Sequence, residues 1–316
     1  MFFSLLMVVG ILGIVLSMVY VKKTKKVKKV KETMKNNSKK MNSKKNKKVE
    51  GYTSSYDNKE CNRILVEKEK KCNCFDSKGN PSNDQSTCMK INHRSECQDY
   101  NKCKNRFLSY MSGSEPMYNV SEWEDPLIEG SHNCYAYFLD DHIPEIKNKC
   151  KSYCKKFVMK DGKKVCSKKP SECNDLKPQP GDIANKKGNL SKNDPEYTCD
   201  AMIHKVLIDN IDDVTHKNNI TTVKFNEKCP VNHYKGAVVV HPGKTYHFYR
   251  QDKNGRFSHK QGVLKVENVD ASGNPIWAPH YADRDYKKLK KEGINYTDFC
   301  TYFCIPKNYF KKTHAI

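Results

Sequence analysis

The run Ser131-His132-Asn133-Cys134-Tyr135-Ala136-Tyr137-Phe138-Leu139 places a thiol directly after polar residues and at the head of an apolar stretch. This order predicts a short helix over 134–139 that begins at the cysteine and stops before Pro144. A helix N-terminus offers unpaired N–H groups and the positive end of the dipole, and both favour a thiolate. Far downstream, Tyr246-His247-Phe248-Tyr249 puts an imidazole on a β-prone run. A histidine beside a cysteine can take its proton and later return it to a leaving group. The main-chain N–H of Cys134 is a natural oxyanion donor, with the side chain of Asn133 or His132 as a second.

A third polar group must orient the imidazole. His259 is the first choice, and Asp252, Asn268 and Asp270 are the alternatives. The choice turns on the hairpin loop at Asp252-Lys253-Asn254-Gly255, where Asn-Gly lies between two β-prone runs. A three-residue loop with a bulge at Gly255 sets His259 on the face of His247. A four-residue loop sets it on the opposite face. Taken singly, Cys134 reads as a buried or cross-linked cysteine and His247 as a structural strand histidine. Their joint occurrence in these contexts favours thiol chemistry.

The elements that must position this pair follow from local pattern. Residues 198–209 read as a helix with Ala201, Met202, Val206 and Leu207 on its apolar face. Residues 236–240 read as a short buried strand and 263–269 as a third strand after the hairpin, ended by Asp270-Ala271-Ser272-Gly273-Asn274-Pro275. Pro178-Gln179-Pro180-Gly181-Asp182 is turn chemistry, and the tail over 296–306 reads as an edge strand or turn. A helix followed by a small antiparallel sheet is an α+β arrangement.

Fifteen cysteines in 316 residues suggest disulfides and an oxidising setting. The number is odd, and Cys134 has a reason to remain free. Cys72, Cys74, Cys88, His93 and Cys97 lack paired C-x2-C knuckles, so the cysteine-rich stretch 56–110 is expected to hold disulfides rather than zinc. Within it, 61–68 is strand-like or briefly helical. Cys150 and Cys154 fall on one helix face, as Cys300 and Cys304 would if helical, and at that spacing they pair more easily with other segments than with each other. Residues 147–169 form a basic surface insertion. No metal or cofactor is expected.

Net charge is +22, and fourteen lysines against two glutamates over 22–50 contribute +12 of it. These lysines adjoin twenty uncharged residues, 2–21, long enough to cross a ~30 Å hydrocarbon core. With no basic n-region and no small-residue cleavage site, the segment reads as a retained single-pass anchor rather than a signal peptide. The lysine-rich stretch 22–52 is expected to be a disordered tether drawn to anionic lipid. A membrane is thus the expected partner. Nucleic acid is not, since no RNP, zinc-finger or helix-turn-helix pattern accompanies the charge. The flanking lysines place the body on the cytosolic side, whereas the cysteines suit a lumen. A virus that forms disulfides on the cytosolic side would reconcile the two.

His132-Asn133-Cys134-Tyr135-Ala136-Tyr137 resembles the nucleophile motif of papain-like and NlpC/P60-like cysteine peptidases of large DNA viruses and bacteria. Lys235-Gly236-Ala237-Val238-Val239-Val240, Tyr246-His247-Phe248-Tyr249 and Phe257-Ser258-His259 are similar to a histidine-bearing hairpin of that group, and Pro178-Gln179-Pro180-Gly181-Asp182 to its Pro-Gly-Asp turn. The resemblance covers about 115–274. It implies Cys134 as nucleophile, His247 as base and a polar residue near His259 as the third member. The glutamine that papain-type enzymes carry six residues before the cysteine is replaced by Ile128. The resulting expectation is an anchor (1–21), a tether (22–52), a cysteine-rich segment (53–114) and a papain-like hydrolase domain (115–316). The function expected is a membrane-anchored cysteine hydrolase, a peptidase or amidase, in a viral or host-derived internal membrane or virion membrane. The alternatives are a non-catalytic disulfide-rich virion structural or attachment protein and a peptidoglycan-cleaving enzyme.

Overall fold

The computed structural model describes residues 56–73, 94–160, 162–182, 197–211, 219–288 and 293–307. The expected anchor and tether, together with Cys74, Cys88 and His93, lie outside the described residues. No helix among the described residues is long and apolar enough to cross a membrane. The described part is α+β, in agreement with the sequence pattern.

Helix α1 (Asn58–Cys72) replaces the strand-like or briefly helical segment expected over 61–68. Cys61, Ile64, Leu65, Glu69 and Cys72 fall on one buried face, and Asp57 caps the first turn by accepting from the Glu60 N–H at 2.8 Å. Helix α2 (Gln98–Leu108) lies against it, and Cys61–Cys103 and Cys72–Cys97 cross-link the two. Cys72 and Cys97, weighed above as zinc ligands, are therefore bonded to each other.

The short helices α3 (Val120–Trp123) and α4 (Pro126–Ser131) lead into α5 (Cys134–Phe138) and α6 (Pro144–Ser152). The basic insertion continues α6 into a two-stranded hairpin, β1 (Phe157–Lys160) with β2 (Lys163–Cys166), held by Cys150–Cys173 and Cys154–Cys166. Helix α7 (Cys199–Asp209) is the one predicted from the apolar spacing.

The remaining strands, β3 (Thr221–Val223), β4 (His233–His241), β5 (Thr245–Gln251), β6 (Phe257–Lys260), β7 (Val266–Glu267) and β8 (Asp298–Pro306), form one antiparallel sheet in the order β3-β8-β4-β5-β6-β7. Two expectations change here. The tail strand β8 is internal rather than an edge, because the buried β4 needs a hydrogen-bonding partner on each side and β8 supplies one of them. The strand expected over 263–269 shrinks to β7, because Leu264 N–H closes a turn onto the Gln261 carbonyl at 2.9 Å.

Side chains alternate between two cores. Ala237, Val239, Tyr249 and Tyr302 join the faces of α1 and α2 with Trp277, so the cysteine-rich segment and the sheet share one cluster. Glu69 is buried there, accepting from Asn73 Nδ2 at 2.6 Å, Tyr100 Oη at 2.9 Å and Trp277 Nε1 at 3.0 Å, and pairing with Arg256 at 3.2 Å. On the other face, Val238, Val240, Phe248, Phe303 and Ile305 pack against α5 and α7.

Gly236 allows α5 its close approach, since a Cβ there would lie 2.4 Å from the Phe138 ring. Gly236→Ala is expected to lower stability by about 1–3 kcal/mol through overpacking. This would be read as a lower urea midpoint with an unchanged slope.

The register of β4 against β8 passes from Val238↔Thr301 to Val239↔Phe299, which leaves Cys300 as an extra, bulged residue. That residue is bonded to Cys199 at the first position of α7, and Cys229–Cys304 closes the other end of β8. Each cysteine of the two four-residue spacings thus pairs with a different segment, although Cys300 and Cys304 lie on a strand, where the helical argument for that spacing does not apply.

Candidate functional site

Twelve of the thirteen described cysteines are consumed in six disulfides, and Cys134 is the free one among them. It is the first residue of α5. Asn133 caps that helix, its Oδ1 accepting from the N–H groups of Tyr135 at 3.1 Å and Ala136 at 3.2 Å. Its Nδ2 donates to the Pro178 carbonyl at 2.7 Å, which draws in the Pro-Gly-Asp turn. A second clamp holds the same turn. Buried Asp209, at the end of α7, accepts from the Gly181 N–H at 2.6 Å and from Tyr135 Oη at 3.3 Å. Gly181 sits at φ 96°, a conformation that favours glycine.

The histidines come from the other side of the sheet. Arg250 pairs with Ser258 and Gln251 with Phe257, Asp252 N–H bonds to the Arg256 carbonyl, and Gly255 has φ 89°. The loop is therefore three residues, Lys253 to Gly255, with glycine in the positive-φ position. This is the geometry that sets His259 on the face of His247. The two rings meet, with His247 Nε2 2.8 Å from His259 Nδ1, and His259 Nε2 lies 2.9 Å from the Val269 carbonyl. A carbonyl only accepts, so His259 carries its proton on Nε2 and, when neutral, offers Nδ1 as an acceptor. His247 then donates from Nε2 and holds its lone pair on Nδ1. Tyr296 stacks on the His247 ring with centroids 5.3 Å apart.

Among the described residues β5 and β6 pair only at those two positions, which leaves the main chain around His247 outside that pairing. A cavity of about 650 Å³ is lined by Asn133, Cys134, Lys177, Gln179, Tyr246 and His247 among others. Cys134 reaches it from the helix face and His247 from the opposite face. Burial pushes the Cys134 thiol up to about 11, while a hydrogen bond from the Phe248 main chain and the charges of Lys260 and Lys177 pull it down.

The other residues weighed from sequence stand elsewhere. His132 is not among the described residues lining the cavity. It is buried, packs edge-on against Trp123, and has Nδ1 2.9 Å from Ser131 Oγ. Burial drives its imidazole down to about 3. Asn133 does line the cavity, with its oxygen and one amide proton engaged as described. Asp252 pairs with Arg250, and Asp270 caps its own turn by accepting from the Ser272, Asn274 and Asp283 N–H groups. Ile128 is core, packed with Trp123, Ala136 and Tyr137.

Sequence reasoning missed Lys177, Gln179, Tyr246 and Tyr296 as cavity residues. The first two sit on the Pro-Gly-Asp turn, whose motif was visible although its docking was not. Tyr246 Oη donates to Gln179 Oε1, which closes one wall. Behind the nucleophile helix, buried Arg250 binds Asp140 and Asp252, donates to Tyr137 Oη at 2.9 Å, and lies 4.0 Å from the Tyr137 ring centre. Tyr137 Oη and Ser258 Oγ are 2.6 Å apart. This network fixes α5 to the histidine hairpin.

No family model matches the chain, and no solved structure does. Over 48 residues it is 56% identical to Insoluble matrix shell protein 1 of Ruditapes philippinarum, a match that covers 15% of this chain and 32% of the relative. The chain spans about a third of that protein's length.

Lys260, next to His259, is buried and donates to the carbonyls of Glu129 at 2.9 Å and Gly262 at 2.7 Å. Burial pulls its ammonium down to about 7 against the attraction of Glu129. A lysine whose folded pKa lies below its unfolded value near 10.5 takes up a proton on unfolding between those two pH values. The unfolded state then binds more protons, so stability rises with pH across that window. Burial also lowers Lys235, to about 8, so it adds to the same slope. Urea midpoints are expected to rise between pH 7 and 9, and to rise less in Lys260→Met.

Proposed function

We propose that the chain is a cysteine hydrolase, a peptidase or amidase, with Cys134 as nucleophile, His247 as base and His259 as the group that orients His247. The observation that supports this reading is the imidazole relay. Val269 fixes the tautomer of His259, which fixes that of His247, whose remaining lone pair belongs to a ring lining the cavity of the free thiol.

In the reaction His247 Nδ1 takes the thiol proton and the sulfur forms a C–S bond to the substrate carbonyl carbon. The main-chain N–H of Cys134 donates to the resulting oxyanion. The imidazolium gives its proton to the leaving amine as the C–N bond breaks. Water, deprotonated by His247, then attacks the thioester, releasing the acid and the thiol. The buried thiol is hard to ionise alone, and an imidazolium at His247, across the shared cavity, would supply the missing stabilisation as an ion pair. The hydrophobic segment 2–21 and the lysines of 22–50 would hold this unit at an anionic membrane, in a viral or host-derived compartment.

A second reading has specific support. The match to a protein named as an insoluble matrix shell protein, together with six disulfides, favours a non-catalytic structural role in which Cys134 is a core thiol. The comparison weighs toward this reading and the site geometry toward the first. Turnover decides between them. The hydrolase reading expects cleavage of members of a fluorogenic peptide and amide panel that includes peptidoglycan fragments, with loss in a folded Cys134→Ala protein. No cleavage, or cleavage that survives Cys134→Ala, leaves the structural role.

A further inference from the structure

Lys177 is the one lysine, arginine, aspartate or glutamate among the described residues that line the Cys134 cavity. It is half-buried on the turn that Asn133 and Asp209 clamp, and its charge is felt at the Cys134 sulfur. The surrounding walls mix aromatic and aliphatic side chains, Tyr197, Tyr246, Tyr296, Leu264 and Ile294, with the uncharged polar Gln179, Thr245 and Gln261. Lys260 also acts on that sulfur, but its ammonium is committed to two carbonyls. Asp175 attracts Lys177 from outside the lining set. A half-buried ammonium that is the cleft's one such charge among the described lining residues gives it a positive field that draws anions.

We propose that Lys177 forms an anion subsite, so that the substrate is an acidic peptide or amide that places a carboxylate on Lys177 while its scissile carbonyl lies at Cys134. This rests on the thiol-hydrolase reading and adds the chemical class of the substrate. The subsite raises the local concentration of anionic substrates and selects against cationic ones. Its effect on thiolate formation is shared by every electrophile, whereas its effect on recognition depends on the charge of the electrophile.

Iodoacetate and iodoacetamide separate the two effects, because they alkylate the same sulfur, lose the same iodide and differ by one negative charge. The measurement is the ratio of their rate constants at Cys134, mapped by peptide mass, relative to the same ratio for N-acetylcysteinamide. In the native, non-reduced protein the normalised ratio is expected to be about 10-fold or more in favour of iodoacetate, the range over which a one-signed cleft concentrates counter-charged ligands. It should fall to about one in Lys177→Met and persist in Lys177→Arg. Equal ratios in wild type and Lys177→Met would overturn the subsite while leaving the reactive thiol intact. Alkylation by neither reagent before unfolding would remove the thiol-hydrolase reading, and the subsite with it.

Discussion

His247→Ala is expected to reduce kcat/KM for amide hydrolysis by about 10²–10⁴-fold, the usual contribution of a positioned acid–base group. The reason lies in the burial of the nucleophile. A thiol held near 11 is almost wholly protonated at neutral pH, and neither the helix N-terminus nor Lys177 and Lys260 overcome that burial. The imidazole must therefore remove the proton and remain as the counter-ion. His259 touches His247 rather than the thiol, so its role is positioning. His259→Ala should lower kcat more than it raises KM. His259→Gln, which can still accept from His247 and donate to Val269, should recover part of the loss. Equal losses in His259→Ala and His259→Gln would indicate that the ring only fills space.

Arg250→Met is expected to cost about 3–5 kcal/mol of stability, the penalty for removing one partner of a buried ion pair. Asp252 is buried, and burial lifts its carboxyl to about 6 even with Arg250 pulling it down. Without the guanidinium, Asp252 and the partly buried Asp140 lose their counter-charge, and Tyr137 loses both a hydrogen bond and a stacked cation. Urea unfolding under non-reducing conditions should show the loss as a lower midpoint. Adding Asp252→Asn to Arg250→Met should restore part of it, because the second change removes the stranded charge. Purely additive effects of the two changes would show that the pair is not coupled. Because the same network ties α5 to the histidine hairpin, Arg250→Met should also depress turnover in the protein that remains folded.

Several features of this fold were legible in the sequence. The thiol at a helix start followed from apolar residues behind a polar pair, and α7 from its apolar spacing. The hairpin followed from Asn-Gly between β-prone runs, and the loop length had to be three for His259 to meet His247. What the sequence could not show depends on contacts between distant segments. The register slip that frees Cys300 for Cys199 is set where two strands meet, and no local pattern records it. The promotion of the tail to an internal strand reflects the hydrogen-bonding need of β4 rather than any property of residues 298–306. The same holds for the site. Lys177 and Gln179 looked like turn residues, and only the clamps from Asn133 and Asp209 bring that turn to the cavity. Conversely, His132 stood beside the cysteine in sequence and faces Trp123 in the fold, because adjacent residues at a helix entry point in different directions.

Whether Cys134 is an activated nucleophile is read most directly from the pH profile of its alkylation by iodoacetamide in the native, non-reduced protein, followed by peptide mass at that residue. If His247 ionises it, the rate should reach its half-maximum well below the ordinary thiol value near 9, and His247→Ala should move that midpoint toward about 11. A native profile that rises only above about pH 10 and is unchanged by His247→Ala would contradict the account and leave Cys134 as a buried core thiol.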